Sequence, residues 1–147
     1  MRSRVLLADD HKLFREALRN MLQRHPDIEV VGEAGDGIQA VELVRSLLPD
    51  VVVMDIRMPR LNGIAAIGQL LAAHASVKVI VLSVNSARIF ASEMLAAGAR
   101  GYVTKSDAVE LPRAIRAVMN DLEDLSLEVA ATVAAPVRGD NPIDGAS

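Results

Sequence analysis

The chain has 147 residues and a mass of 15.7 kDa, with 51% hydrophobic and 24% charged residues, which suits one soluble globular domain with a real core and excludes a disordered or collagen-like chain. It has no cysteine, so disulfide scaffolds, thiolate zinc sites and cysteine nucleophiles are out, and no apolar run approaches the roughly 18 to 20 residues of a membrane span. Residues 1–120 carry 15 Lys and Arg against 13 Asp and Glu, a net of +2, whereas residues 121–147 carry Arg138 against six acids, a net of −5. Such a tail repels nucleic-acid phosphates, and without an export signal or anchor the expected compartment is the cytoplasm.

Five short β-branched runs alternate with amphipathic segments. The runs are 4–8, 29–33, 51–54, 78–82 and 101–103. After the first, Phe14, Ala17, Leu18, Met21 and Leu22 recur at helical spacing until Pro26. Ile38, Val41 and Val44 form the next stripe before Pro49, followed by Ile64, Ile67 and Leu71, then by Phe90, Met94 and Leu95 before Gly98. Leu111, Ala114, Ile115 and Val118 form the last. This alternation predicts an α/β fold: a doubly wound five-stranded parallel sheet between two helix layers, with ligands beyond the carboxyl ends of the strands.

Asp9 and Asp10 follow the first predicted strand, Asp55 the third, Ser83 the fourth, and Thr104 and Lys105 the fifth. Three carboxylates in one crevice repel one another unless a cation offsets them, and a hard divalent ion such as Mg²⁺ is the natural partner. Three carboxylates, one ammonium and one doubly charged ion sum to zero. In such a site the Asp55 carboxylate can attack phosphorus as a nucleophile, with Mg²⁺ and Lys105 facing the equatorial oxygens where charge develops.

These residues resemble the receiver domain of two-component response regulators. Val5-Leu6-Leu7-Ala8-Asp9-Asp10-His11 is similar to the family's acidic start, and Val53-Met54-Asp55-Ile56-Arg57-Met58-Pro59-Arg60-Leu61-Asn62-Gly63 to its phosphoacceptor segment. Val81-Leu82-Ser83 and Gly101-Tyr102-Val103-Thr104-Lys105 resemble the segments that carry the switch hydroxyl, switch aromatic and lysine, although Ser83 stands where threonine is commoner and Ser106 where many members have proline. The resemblance implies a flavodoxin-like three-layer sandwich with strand order 2-1-3-4-5. It implies that Asp55 takes a phosphoryl group from a sensor histidine kinase. Asp10, Asp55 and the backbone carbonyl of Arg57 would ligate Mg²⁺, with Asp9 acting through water, and Ser83, Lys105 and Tyr102 would form the phosphoryl-binding switch.

His11 after the acids and the Gly-Tyr-Val-Thr-Lys wording are most similar to the NarL/FixJ group, whose members usually carry a LuxR-type helix-turn-helix. On this reading residues 1–120 are the receiver, and 121–147 are an acidic linker toward an output domain not found within the 147 residues. The expected role is phosphorylation-dependent homodimerisation and control of transcription, with DNA contacted only through that output domain. The alternative is a stand-alone receiver or phosphate sink acting through protein partners; no membrane role is expected.

Bland readings compete at each position. An aspartate at a strand end is commonly a cap or turn residue, Ser83 can cap a helix starting near Ala87, and Tyr102, Met58 and Met94 can be packing residues. His11, His25 and His74 lack metal-ligand spacing and read as surface residues. A rival functional reading takes Gly35-Asp36-Gly37-Ile38-Gln39-Ala40 as a dinucleotide-binding turn with Asp55 on the ribose, but it leaves Asp10, Ser83 and Lys105 without a role.

Overall fold

The computed structural model describes residues 2–57, 63–84 and 91–122. In chain order it contains β1 (Ser3–Ala8), α1 (Lys12–Leu22), β2 (Ile28–Ala34), α2 (Gly37–Leu47), β3 (Val51–Asp55), α3 (Gly63–Ala73), β4 (Lys78–Ser83), α4 (Ala91–Ala97), β5 (Gly101–Thr104), a 3₁₀ segment (Lys105–Glu110) and α5 (Leu111–Met119). The strands form one all-parallel sheet in the order β2-β1-β3-β4-β5. This is the doubly wound sheet expected from the alternation, in the flavodoxin-like order implied by the resemblance, and its switch point lies between β1 and β3.

Strand alternation builds two cores. Leu6 and Ala8 of β1, Val52 and Met54 of β3, Val79 and Val81 of β4 and Tyr102 of β5 face one way, against Ala40 and Val44 of α2, Ala66, Ile67 and Leu70 of α3 and Met94 of α4. Val5, Leu7, Val51, Val53, Ile80, Leu82 and Val103 face the other way, against Leu18 and Leu22 of α1 and Leu111, Ala114, Ile115 and Val118 of α5. Both faces of β1, β3 and β4 are therefore covered, which is why these strands read as nearly unbroken apolar runs.

Two of the predicted stripes are drawn differently. Ile38 is 38% exposed, and α2 instead buries Gly37, Ala40 and Val44, a spacing of three and four that lays small side chains against the sheet. Ala17 is exposed on α1, where Leu18 and Leu22 carry the contact. Phe90 and Ala87 lie outside the described residues, as does the segment from Leu125 onward. Strand pairing also runs one residue further than the sequence pattern predicts: Asp55 pairs with Leu82, and Ser83 with Thr104, so three of the polar positions are the last residues of strands.

The ends of α2 show how local chemistry fixes the frame. Asp36 caps its start, Oδ1 accepting from the Gln39 N–H at 2.8 Å, while Gln39 Oε1 accepts from the Gly35 N–H at 2.7 Å. Leu48 closes it in the left-handed region (φ 47°), as the following Pro49 disfavours another helical residue. Arg4 Nη1 then donates to the carbonyls of Leu47 and Leu48 at 2.8 and 2.9 Å. The glycine-rich turn is thus a helix cap. It also stands on β2, separated from β3 by β1, so Asp55 is not on the neighbouring strand where a ribose-binding acid belongs.

Gly98 ends α4 with φ 110°, and a Cβ there would collide with Leu71 Cδ1. Gly98→Ala is expected to cost about 1–3 kcal/mol, read as a lowered urea midpoint with unchanged slope. A second fastening joins α5 to the loop before β2: Arg116 binds Asp27 in a bidentate pair at 2.8 and 3.0 Å, which holds the Asp27 carboxyl down at about 2. Because that pKa is depressed, the stabilisation is complete above the unfolded value and fades as pH falls from about 4 toward 2. Asp27→Asn should therefore destabilise the protein at pH 7, by no more than about 1 kcal/mol for so exposed a pair, and the difference from the parent should shrink in urea titrations below pH 4.

Candidate functional site

At the carboxyl edge of the sheet the chain leaves β1 at Asp9 and turns into α1. The turn is held from several sides. The Asp9 N–H donates to the Ala34 carbonyl at 3.0 Å, Asp9 Oδ1 accepts from the His11 N–H at 2.8 Å, and Arg15 Nη1 donates to the Asp9 carbonyl at 2.6 Å. Arg15 is itself fixed by Glu33 at 2.8 Å, and Arg19 binds the other Glu33 oxygen. Burial pushes the Glu33 carboxyl up, but the two guanidinium groups outweigh it and hold the pKa below its ordinary value.

Asp9 and Asp55 are both buried, at 1% and 3% exposure, and both point at Lys105. Lys105 Nζ lies 2.8 Å from Asp9 Oδ2 and 3.0 Å from Asp55 Oδ2. The first contact is an ion pair of poor alignment, since Asp9 Oδ2 receives no hydrogen bond from the described residues; the second is a hydrogen bond. The other Asp55 oxygen accepts from the Arg57 N–H at 2.9 Å. The lysine lies over the Phe14 ring, 4.8 Å from its centre.

Burial raises the Asp55 pKa above its ordinary value, and the nearby Asp9 charge adds to this, while the Arg57 N–H and Lys105 only partly offset it. Burial pulls Lys105 down, but its contacts with Asp9 and Asp55 prevail and raise its pKa. One ammonium is shared by two buried carboxylates, so the lysine is stabilised in full and each acid in part.

Asp10 is more open, its side chain 35% exposed. One potential ligand atom from each of Asp9, Asp10, His11 and Asp55 lies within 4.8 Å of the others, so among the described residues these four form a cluster able to hold a metal ion. The surplus of carboxylates over ammonium, and the all-oxygen donors that Asp9, Asp10 and Asp55 supply, fit a hard divalent cation.

Of the sequence-predicted residues, Asp9, Asp10, Asp55 and Lys105 come together here. Ser83, at 6% exposure, ends β4 on the face that also carries Tyr102. Tyr102 is 3% exposed and packs in the core with Val81, Met94 and Ala99. Met94 is a core residue, as its spacing suggested; Met58 lies outside the described residues. Sequence reasoning missed two neighbours. His11 is indeed exposed, yet its ring stands at the acidic cluster, and its position next to Asp9-Asp10 was the available signal. Phe14 was read as core stripe alone, although one turn into α1 it also meets the lysine.

Residues 5–116 match the response regulator receiver domain family. The transcriptional regulatory protein DegU of Brevibacillus brevis is 42% identical over 115 residues, covering 78% of this chain and 49% of that protein. The response regulator GacA of Pseudomonas aeruginosa is 36% identical over 149 residues, covering 98% of this chain and 70% of GacA. The chain thus spans about half of the one relative and about 70% of the other. Among solved structures, a LuxR-family two-component response regulator from Aurantimonas sp. SI85-9A1 superposes with a TM-score of 0.85 at 36% identity, over 91% of this chain and 96% of that one. With the acidic cluster, its shared lysine and the parallel sheet in place, the chain belongs to the response regulator receiver domain family.

Proposed function

We propose that Asp55 is the phosphoacceptor of a Mg²⁺-dependent receiver that draws its phosphoryl group from a phosphohistidine on a sensor kinase. The observation that carries this reading is the pair of buried carboxylates sharing Lys105 beside an open Asp10. An Asp55 oxygen forms the new bond to phosphorus; the bond from phosphorus to the kinase imidazole breaks, and that imidazole leaves with the electron pair. Lys105 faces the transferred oxygens, and the Arg57 N–H orients Asp55. Asp10, Asp55 and the Arg57 carbonyl would hold the ion, with Asp9 acting through water; Mg²⁺, when bound, neutralises the charge that builds on the phosphoryl oxygens. The same groups can admit water to the phosphorylated aspartate, so the domain assists its own labelling and its own reversal without being a turnover enzyme.

Signalling follows from charge. A phosphoryl group adds roughly −1.5 to −2 and three acceptor oxygens, which draws Lys105 and the Ser83 hydroxyl inward. Ser83 and Tyr102 share one sheet face with Met94 of α4, so the pull reaches the α4-β5-α5 surface. We read that surface, or the α1 and α5 pair, as the face of a phosphorylation-dependent homodimer. Residues 1–120 form the receiver and 121–147 the acidic linker on this reading. That DegU is a transcriptional regulatory protein, of which this chain spans about half, supports a role in transcription; contact with DNA through an output domain of a longer protein is part of our reading. No helix among the described residues is long and apolar enough to cross a membrane, and we place the protein in the cytoplasm.

Acetyl phosphate with Mg²⁺ should add the mass of one phosphoryl group, labile to acid, and Asp55→Asn should abolish it; labelling that survives the substitution places the nucleophile elsewhere. The same substitution should be stabilising without divalent cations. With its pKa raised in the fold, ionised Asp55 is a liability at neutral pH and neutral Asp55 is not. Asp55→Asn should raise Tm at pH 7.5 by roughly 2–4 °C, the shift that about 1 kcal/mol gives a domain of this size, and the gain should vanish as pH falls through the folded pKa of Asp55.

The body carries a net +2 and the tail a net −5, so the chain as a whole repels a phosphate backbone. Titration of these 147 residues with labelled duplex DNA at 50 mM salt, read by fluorescence anisotropy, should show no salt-sensitive binding.

A further inference from the structure

We propose that a cleft at the amino edge of the sheet is the docking site for the segment of this chain that directly follows α5, residues 123–129, with Leu125 and Leu127 as its anchors. The cleft lies at the opposite edge of the sheet from the acidic cluster. The ends of α2, α3 and α5 meet there with the starts of β3 and β4 around a volume of about 600 Å³, room for several side chains. Its apolar lining comes from Leu48, Pro49, Ala73, Ala75, Val77 and Met119, and Leu48 is left 58% exposed.

The end of α5 delivers the chain to this cleft. The Leu122 N–H donates to the Ala117 carbonyl and the Asp121 N–H to the Val118 carbonyl, both at 3.0 Å, with Asp121 in the left-handed region at φ 60°. A helix-ending turn of this kind ordinarily takes glycine at its left-handed position. Aspartate there keeps a carboxylate, which binds Lys78 Nζ at 2.9 Å at the start of β4. Asp121 is thereby fixed in the cleft wall, and the chain leaves it at Leu122, which is 60% exposed.

Reach, pattern and charge select the following segment as the occupant. Leu125 is three residues past Leu122, a span of at most about 10 Å. Leu125, Leu127 and Val129 alternate with Ser126 and Glu128, so an extended chain there has one apolar side. Glu123 and Asp124 come first, at an exit where positive charge stands: the Lys78 bond lowers the Asp121 pKa, and the Arg100 charge adds to it. Asp50, the other acid of the wall, is engaged by the Arg4 N–H at 2.9 Å. So short a tether holds the leucines at an effective concentration in the millimolar range, whereas a second copy must first associate. Docked there, the segment ties the direction in which the chain leaves the domain to the packing of α5 on β4.

The chain has no cysteine, so one introduced thiol reports on one place. Ala75→Cys and, separately, Ser76→Cys put a thiol in the cleft, and Lys12→Cys puts one at the start of α1, at the other edge of the sheet. Each is made in the full 147-residue chain with and without the double change Leu125→Asp and Leu127→Asp, circular dichroism checks the fold, and reaction with a dithiobis-nitrobenzoate reagent is followed by absorbance. The double change should speed both cleft thiols by about fivefold or more and leave the Lys12→Cys thiol within about twofold. The protection should be the same at about 5 and about 200 μM protein, as an intrachain contact requires. Cleft thiols indifferent to the double change would overturn the docking. Protection that grows with protein concentration would also overturn it, because the occupant would then be a second copy.

Discussion

Two buried carboxylates depend on one ammonium. Asp9 ends the central part of the sheet at β1 and Asp55 ends β3 beside it, whereas Lys105 follows β5, two places further along. The lysine side chain reaches back to both acids, and its ammonium lies over the Phe14 ring, 4.8 Å from the ring centre. Its charge thereby ties the edge of the sheet to the switch point. Removing the lysine would leave both buried carboxylates uncompensated, at a cost of about 3–5 kcal/mol, so it holds the strand ends together as well as facing the site.

Alternation along the strands decides which face each polar group serves. Asp55 continues the row of Val51 and Val53, which packs on α1 and α5, and its lysine partner accordingly meets Phe14 of α1. Ser83 continues the row of Val79 and Val81, which packs on the opposite layer with Tyr102 and Met94. The acid–lysine pair and the hydroxyl–tyrosine pair therefore sit on opposite faces of one sheet and meet only at its carboxyl edge. A change of charge at that edge is placed to act on both layers at once.

What was legible in the sequence follows from the range of the interactions involved. Strand runs doubly covered by helices are apolar throughout, so β1, β3 and β4 stood out, and parallel strands joined by helices leave few topologies to choose from. Asp36 was legible as a helix start because capping is local chemistry. Ile38 was misread because hydrophobicity alone does not separate a buried stripe from its margin when the true contact uses Gly37 and Ala40. His11 and Phe14 were missed because their partner, Lys105, is more than ninety residues away in the chain, and no spacing rule reaches that far. The Arg15–Glu33 bond that steadies the Asp9 turn spans only 18 residues, but it joins a helix to the following strand and so also lies outside any spacing rule within one element.

The arithmetic of the cluster explains why the site is left incomplete by its own residues. A second ammonium beside Asp10 would close it as two ion pairs plus one acid and lower the Asp55 pKa that burial now raises. Such a site would be more stable and less responsive, because the attraction for an incoming cation or a charged oxygen would already be spent on fixed partners. With one lysine, the surplus of negative charge persists in a place where burial makes charge costly, and any event that supplies or moves positive charge there acts against a large standing imbalance. Sensitivity at this edge is thus the direct consequence of a charge the fold leaves uncompensated.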